Sequence, residues 1–458
     1  MTSSTANVVI CGAGMAGITA AYDLAVRRGV RDIILVDERP PLSLTSDKGN
    51  EGYRNWWPGP DDTMVRFMNR SIDLLEELAI ETDNAFQMNR RGYVFLTATP
   101  NHIPTMSHLA TQLSKLGAGP VRYYPGDPSP YIPSPAEGFR KLPTGADLVL
   151  DGQMIREELP FVAKDVVAMT HVRRAGWLNT RRLGHLLLER AQAQGLRLVQ
   201  DRVVQVSLAG GRIQTIHLQS GDQISTRTFV IAAGPMLKQV GTLLGLEIPV
   251  ETELHGKLAF KDHLRIVPAD APYLIWYDSV YLPWTDTERQ TLMANEETRW
   301  LLNEFPATTH FRIRPPRDAN DSLVLGMWSY KIEARTPIWP PPFDPNLAEV
   351  LLRGLARMIP GLSAYFEQGQ DGHVDGGYYC KTSDNRPLIG PLPPEGANVI
   401  GALSGYGIMA SQAAAELLAA HVTGAELPDY AASFQLERYE DPAYLSLLAQ
   451  GDDSSGQL

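Results

Sequence analysis

The chain has 458 residues, too many for one ordinary domain and enough for two that each bury a core. Hydrophobic residues make up 44% and charged residues 20%, a globular composition, and the formal charge of −11 repels phosphate backbones, which argues against a nucleic-acid partner. No apolar run approaches the ~18 residues of a membrane span. The polar stretch 1–7 reads as no signal peptide, and the two distant cysteines, Cys11 and Cys380, form neither a disulfide framework nor a metal-ligand spacing, so a cytoplasmic protein without a metal is expected.

In chain order, residues 8–11 form an apolar run ending at a glycine cluster, as a buried parallel strand does. Small and apolar residues over 18–26 predict a helix closed by Gly29, and 33–36 is the next strand, completing a βαβ unit. Helical spacing returns over 64–80, whereas 97–165 is rich in Pro, Gly and Asp and weakly periodic. An amphipathic helix is predicted over 178–194, closed by Gly195, followed by strands 196–207, 212–218 and 224–232 with turns at Gly210-Gly211 and Gly221-Asp222. Five of the eight tryptophans fall in 250–375, which reads as a second domain with a helix near 285–303. Small residues dominate from Val399, with a helix at about 408–422, and the tail past Gln450 is polar and reads as frayed.

Three motifs carry chemistry. The first is Gly12-Ala13-Gly14-Met15-Ala16-Gly17, in which Gly12 permits a tight turn, Gly14 lets backbone approach a pyrophosphate, and Gly17 lets the helix pack on the strand. Its acid is Asp37, twenty residues past Gly17 and followed by Glu38 and Arg39, placed to accept from a ribose hydroxyl. This fingerprint alone does not separate NAD from FAD. The second motif, Phe229 to Pro235, is an apolar strand breaking at Ala233-Gly234. The third runs from Thr382 to Pro391 and on from Val399 to Met409, where a strand ends at Gly405 and Gly407 and a helix begins. The exposed N–H groups of that helix suit a polar flavin edge and the charge that builds on a reduced ring.

The order of these motifs resembles the D-amino-acid oxidase superfamily, in particular the branch with sarcosine oxidase, glycine oxidase and dimethylglycine dehydrogenase. The resemblance is strongest over 8–57, 176–240 and 375–425. It implies an α/β fold: a discontinuous Rossmann-like FAD-binding domain (1–92, 166–248, 375–458) and an α+β substrate domain on a mainly antiparallel sheet (93–165, 249–374). It also implies hydride transfer from a carbon bearing an amine to FAD, giving an imine that water hydrolyses. The substrate is then a small-molecule amine or amino acid, and the acceptor is O2, as in an oxidase, or a quinone or protein, as in a dehydrogenase of the same fold. A flavin-binding scaffold without turnover is the rival from another class.

Carried over by position, Gly12, Gly14 and Gly17, with Ala13, Met15 and Ala16 between them, match the pyrophosphate loop, and Asp37 the ribose acid. Ser46 and Lys48 fall where relatives hold the pyrophosphate and flavin, Val203 at a backbone contact to adenine, and Ala233-Gly234 at the alanine-glycine turn. Gly405, Gly407 and Ile408 match the flavin-edge loop, with Tyr406 in place of the usual histidine. Gly377 stands where covalent relatives often carry cysteine, which implies non-covalent FAD. Met409 stands where sarcosine-type relatives hold the carboxylate with lysine, and Val324 where an oxygen-associated lysine aligns. These departures argue against simple sarcosine or glycine oxidation and leave the electron acceptor open. The expected substrate is an amine or amino acid bulkier and more aromatic than sarcosine, with an amine that carries no carboxylate as the alternative.

Amine oxidation needs a deprotonated amine, an α-carbon against the flavin and a dry pocket, which aromatic walls supply. Tyr53-Arg54-Asn55-Trp56-Trp57 follows the flavin loop, making Arg54 a carboxylate candidate and Trp57 a wall candidate. Trp328, Tyr378 and Lys381 complete the expected catalytic set, with Trp276, Tyr277, Tyr330 and Tyr379 behind them. In the strand His310-Phe311-Arg312-Ile313-Arg314 the three basic residues share one face, and each reads more readily as a solvated side chain than as a ligand; His255 and His263 stand no higher.

Overall fold

The computed structural model describes residues 3–314, 322–367 and 372–450, so the tail past Gln450 lies outside the described residues. A six-stranded sheet runs in the order Arg197–Gln200, Ile33–Asp37, Val8–Cys11, Phe229–Ile231, Ala397–Gly401, Leu388–Pro391. Its first five strands are parallel and the last is antiparallel. Phe229–Ile231 and Ala397–Gly401 are buried throughout, as strands covered on both faces must be. Helices Met15–Tyr22 and Gly407–Thr423 pack against each other beside this sheet, both rich in alanine and glycine, so their axes approach closely.

The predicted strand over 196–207 is two strands in different sheets: Arg197–Gln200 joins the parallel sheet, and Val203–Ala209 opens a meander with Arg212–Leu218 and Gln223–Ser225. The predicted strand 224–232 divides the same way, into Gln223–Ser225 and Phe229–Ile231. Alternation reports an extended chain, not the sheet it joins. The predicted helix 285–303 is also two pieces, Asp286–Ala294 and the short turn Arg299–Leu302.

A nine-stranded sheet runs in the order His373–Lys381, Glu251–Lys261, Leu323–Met327, His310–Arg314, Tyr273–Trp276, Tyr93–Thr97, Ala168–Val172, Ala146–Val149, Val121–Tyr124. It is antiparallel except where Tyr273–Trp276 meets Tyr93–Thr97 and Val121–Tyr124 meets Ala146–Val149. Four of its strands and two helices, Ile103–Leu113 and Gly152–Glu158, fall in or beside the weakly periodic 97–165. The amphipathic helix Leu347–Met358 covers the sheet, packing on Glu251–Lys261 and Leu323–Met327. Strand His373–Lys381 ends beside the six-stranded sheet: the Thr45 hydroxyl donates to the Tyr378 carbonyl at 2.8 Å, and the Ser404 N–H to the Cys380 carbonyl at 2.9 Å. The space between the two sheets holds the site.

Candidate active site

The first glycine motif forms a turn that no other residue type fits. Gly12 has φ +115°, and a Cβ there would lie 2.3 Å from the Ala232 carbonyl oxygen. A Cβ on Gly17 would lie 1.8 Å from the Gly12 carbonyl oxygen, so helix and strand meet at van der Waals distance only because both are glycine. The Ser46 hydroxyl accepts from the Met15 N–H at 2.9 Å, and Asp37 accepts from the N–H groups of Ala13 at 2.7 Å and Arg39 at 2.9 Å. Burial pushes the Asp37 carboxyl up, and those two N–H groups offset part of the rise.

A cavity of about 550 Å³ runs from this turn between the sheets. Of the expected cofactor residues, Gly12, Ala13, Gly14, Met15, Ala16, Asp37, Glu38, Arg39, Ser46, Val203, Ala233, Gly234, Gly405, Gly407 and Ile408 line it. Gly17 acts beneath the wall, and the Lys48 ammonium is drawn away to Asp375 at 2.9 Å. Tyr406 and Met409 face a second space instead. At the strand-to-helix turn, Ala402 and Ser404 hold φ of +52° and +46°, an uncommon conformation for residues with a Cβ that clusters at functional turns. Cys11 and Cys380 line the same cavity, and burial, the larger cause for each, pushes both thiols up to about 12, so neither is a thiolate at neutral pH. A side chain at Gly377 would start with its Cβ 3.0 Å from the Thr45 Cα, which leaves little room for a thiol.

The second cavity is about 60 Å³ and shares Gly49, Tyr379, Gly405 and Ile408 with the first. Arg54 is placed in its wall by the short strand Gly52–Arg54, paired with Ala175–Trp177. Burial lowers the Arg54 pKa, and the hydroxyls of Tyr93 and Tyr273 partly restore it. Its Nε donates to the Trp56 carbonyl at 3.3 Å, and the guanidinium lies 4.9 Å from the Trp57 ring centre and 5.5 Å from that of Tyr93. Trp57 meets Tyr406 edge-on at 4.7 Å, and the Tyr406 hydroxyl is tied to the Asn385 carbonyl. Tyr93 and Tyr273 stack at 4.1 Å and line the same space with Asn50, His310 and Met327.

The remaining expectations fall elsewhere. Trp328 lines neither cavity: its indole N–H donates to the Pro306 carbonyl at 3.0 Å, and its ring packs on Phe305 and the backbone at Gly354. Tyr378 lines the larger cavity while its hydroxyl bonds the backbone of Ile338, and Lys381 pairs with Glu253 at 2.6 Å outside both linings. Val324 is fully buried in the nine-stranded sheet, paired with Phe260. Against expectation, His310 and Arg312 are not solvated: His310 lines the small cavity and Arg312 forms a buried ion pair with Glu51, which leaves only Arg314 of the three exposed. His255 is buried too, stacked on Tyr379 at 4.0 Å. Asn50, Tyr93 and Tyr273 carried no strong local signal; they come together, with the expected Tyr379, because strands remote in sequence do.

The family model for FAD-dependent oxidoreductases (DAO) matches residues 7–421. The chain belongs to that family. Solved structures agree with the assignment at the level of fold. L-proline dehydrogenase from P. horikoshii is 18% identical, with 96% of this chain and 98% of that one covered and a TM-score of 0.72. Glycine oxidase from Geobacillus kaustophilus is 17% identical (96% and 99% covered, TM-score 0.70), and iminodiacetate oxidase from Chelativorans sp. BNC1 is 19% identical (94% and 98% covered, TM-score 0.68). No curated protein sequence matches the chain. The cofactor of a DAO-family enzyme is FAD, and the glycine cradle, the acid Asp37 and the long cavity fit a dinucleotide. Among the described residues, no helix is long and apolar enough to cross a membrane.

Proposed function

We propose that this FAD-dependent oxidoreductase oxidises the C–N bond of a compact amine bearing a carboxylate, giving an imine that water hydrolyses. The observation that carries this reading is the small cavity opening on the flavin-sized one, with the buried guanidinium of Arg54 in its wall. A substrate carboxylate there gains a charge-assisted partner in a desolvated site. The small size of this cavity, about 60 Å³, favours a compact substrate over the bulkier, more aromatic one expected. The fold neighbours are named for proline, glycine and iminodiacetate, all compact carboxylate-bearing amines.

In this reading FAD supplies the two-electron acceptor. Gly12, Gly14 and the N-terminus of helix Met15–Tyr22 would hold its pyrophosphate, Asp37 its ribose, and the turn 402–407 the flavin edge. The crowding at Gly377 supports non-covalent attachment. Trp57, Tyr93, Tyr273 and Tyr379 wall the substrate from water. The two large sheets support a two-domain division, although Ala168–Val172 and His373–Lys381 join the nine-stranded sheet and so move the expected boundaries at 166 and 375 toward the C-terminus. Two free cysteines without a disulfide partner fit a reducing cytoplasm.

Anaerobic addition of glycine, sarcosine, L-proline and L-alanine to the purified yellow protein tests this. Bleaching of the flavin band near ~450 nm by one of them is expected, and recolouring in air separates an oxidase from a dehydrogenase. Flavin that none of these reduces, but that a carboxylate-free amine does, overturns the substrate class.

A further inference from the structure

His310 occupies the wall of the small cavity with Arg54, and only 5% of its surface is exposed. The residue two before it, Thr308, holds a left-handed φ of +75°. Its carbonyl oxygen lies 2.8 Å from His310 Nδ1. A carbonyl only accepts, so Nδ1 carries the hydrogen, and the neutral ring keeps a lone pair on Nε2. Tyr273 stacks beside the ring at 5.7 Å and 25°. A second acceptor stands in the same wall. Asn50 Nδ2 donates to the Leu325 carbonyl at 3.2 Å and the Tyr273 hydroxyl at 3.3 Å, which fixes the amide and leaves Oδ1 buried with no hydrogen-bond partner. An unmatched buried acceptor is costly unless a ligand supplies the donor.

We propose that His310 accepts the proton that the substrate's ammonium group must lose before its C–N bond is oxidised, while Asn50 Oδ1 accepts a second N–H of the same group. This rests on the C–N oxidation reading above. An ammonium N–H bond breaks with its electron pair left on nitrogen, an Nε2–H bond forms, and the ring becomes imidazolium. The freed pair on nitrogen is the one needed to form C=N. Burial above all, then the positive charges of Arg54 and a protonated His255, against the Thr308 carbonyl, hold the free His310 down at about 4, so the ring is neutral but a weak base until the substrate arrives. Of the other titratable groups lining the cavity, Tyr93, Tyr273, Tyr379 and Tyr406 are neutral phenols raised further by burial, and Glu51 is paired with Arg312. A carboxylate docked on Arg54 cancels part of the positive field at Nε2, so the ring becomes more basic when the substrate arrives. One zwitterion thus brings both the proton and the charge that lets His310 take it.

The test compares the wild-type holoenzyme with His310→Gln, which keeps an acceptor near Nε2 but cannot take a proton. Anaerobic stopped-flow with glycine, sarcosine and L-proline gives the rate constant of flavin reduction over Kd between pH 6 and 8. If the enzyme itself takes the proton from the zwitterion, the wild-type value is nearly flat. In H310Q only the free amine reacts, and the value climbs about tenfold per pH unit, roughly a hundredfold over the range. Propionate, a carboxylate without an amine, is expected to perturb the flavin spectrum of both proteins with the same Kd. Should H310Q fail to hold FAD, [15N]histidine NMR of the wild type decides instead, with Nδ1 protonated and Nε2 bare as the expected tautomer. A wild-type profile as steep as the variant's, a variant profile as flat as the wild type's, or an Nε2–H tautomer overturns the proposal and leaves the C–N reading standing. Wild-type flavin that no amine reduces overturns both.

Discussion

At the scale of single residues, the two buried cations near the site do different work. Arg54 faces the small cavity among neutral phenols, whereas Arg312 is spent on Glu51, with Arg314 reaching the same carboxylate at 3.2 Å. Arg54→Met is therefore expected to raise the Kd of compact amino acids by about 2–3 kcal/mol, at the low end for truncating one partner of a buried charged pair. FAD content is expected to stay unchanged; titration of flavin absorbance with propionate measures both. Glu51→Gln is expected to act on stability, costing about 3–5 kcal/mol because it strands the Arg312 charge in the interior. Burial alone would raise the Glu51 carboxyl, but Arg312 and Arg314 hold it below the ordinary range. Its contribution is present above the unfolded carboxylate pKa of ~4.3 and lost as pH falls through the lower folded value. Urea titrations should thus show a wild-type-minus-E51Q difference that is constant at neutral pH and shrinks in acid.

The same residues show what a linear reading can reach. Gly12, Gly17 and Asp37 were legible because their geometry is set within one βαβ unit, where spacing and conformation are tied together. His310 was not, since its role depends on Arg54 and Asn50, more than two hundred and fifty positions away, being brought against it. Within its own strand it is one polar residue among alternating ones. Trp328 misled for the opposite reason: a lone tryptophan looks like a pocket wall, and only the packing at Gly354 assigns it to the core.

At the scale of elements, helices were found more readily than strands. Thr63–Glu81 and Gly407–Thr423 lie within two residues of their predicted ranges, because an amphipathic or alanine-rich run of that length has one reading. Strands as short as Phe229–Ile231 carry too few residues to say which sheet they join. The C-terminal elements show how such pieces are held. Asp384 accepts from Arg438 at 2.8 Å and from the hydroxyls of Thr382, Tyr439 and Tyr444. Burial would raise this carboxyl, yet Arg438 and the hydroxyls hold it well below the usual range. Both members of the ion pair are almost fully enclosed, so Arg438→Ala is expected to cost about 3–5 kcal/mol. Limited proteolysis should then cut first between Asp429 and Gln450, and a cleavage pattern identical to the wild type's would show that the pair does not anchor that segment.

At the scale of the whole molecule, the cofactor cavity lies between the two large sheets and draws walls from both. Bound FAD then stabilises the native arrangement and not the unfolded chain, by about 2.7 kcal/mol at a hundred times its Kd. The melting temperature of flavin-stripped protein should rise with the logarithm of added FAD, while adenosine, which lacks the flavin and pyrophosphate, should give a smaller rise at equal concentration. Equal rises would place the binding energy in the adenosine end alone.

The walls of that cavity come from residues 11–49, 201–243 and 378–408, and the Thr45 hydroxyl closes on the Tyr378 carbonyl across 333 positions. During synthesis the ribosome therefore delivers the pyrophosphate turn more than three hundred residues before the flavin-edge turn. A nascent chain that stops short of the last of these segments has a nucleotide-shaped groove with one side open. Flavin loading thus waits on synthesis past residue 408, and a chain stopped before Gly401 is expected to lack that wall and not to retain FAD.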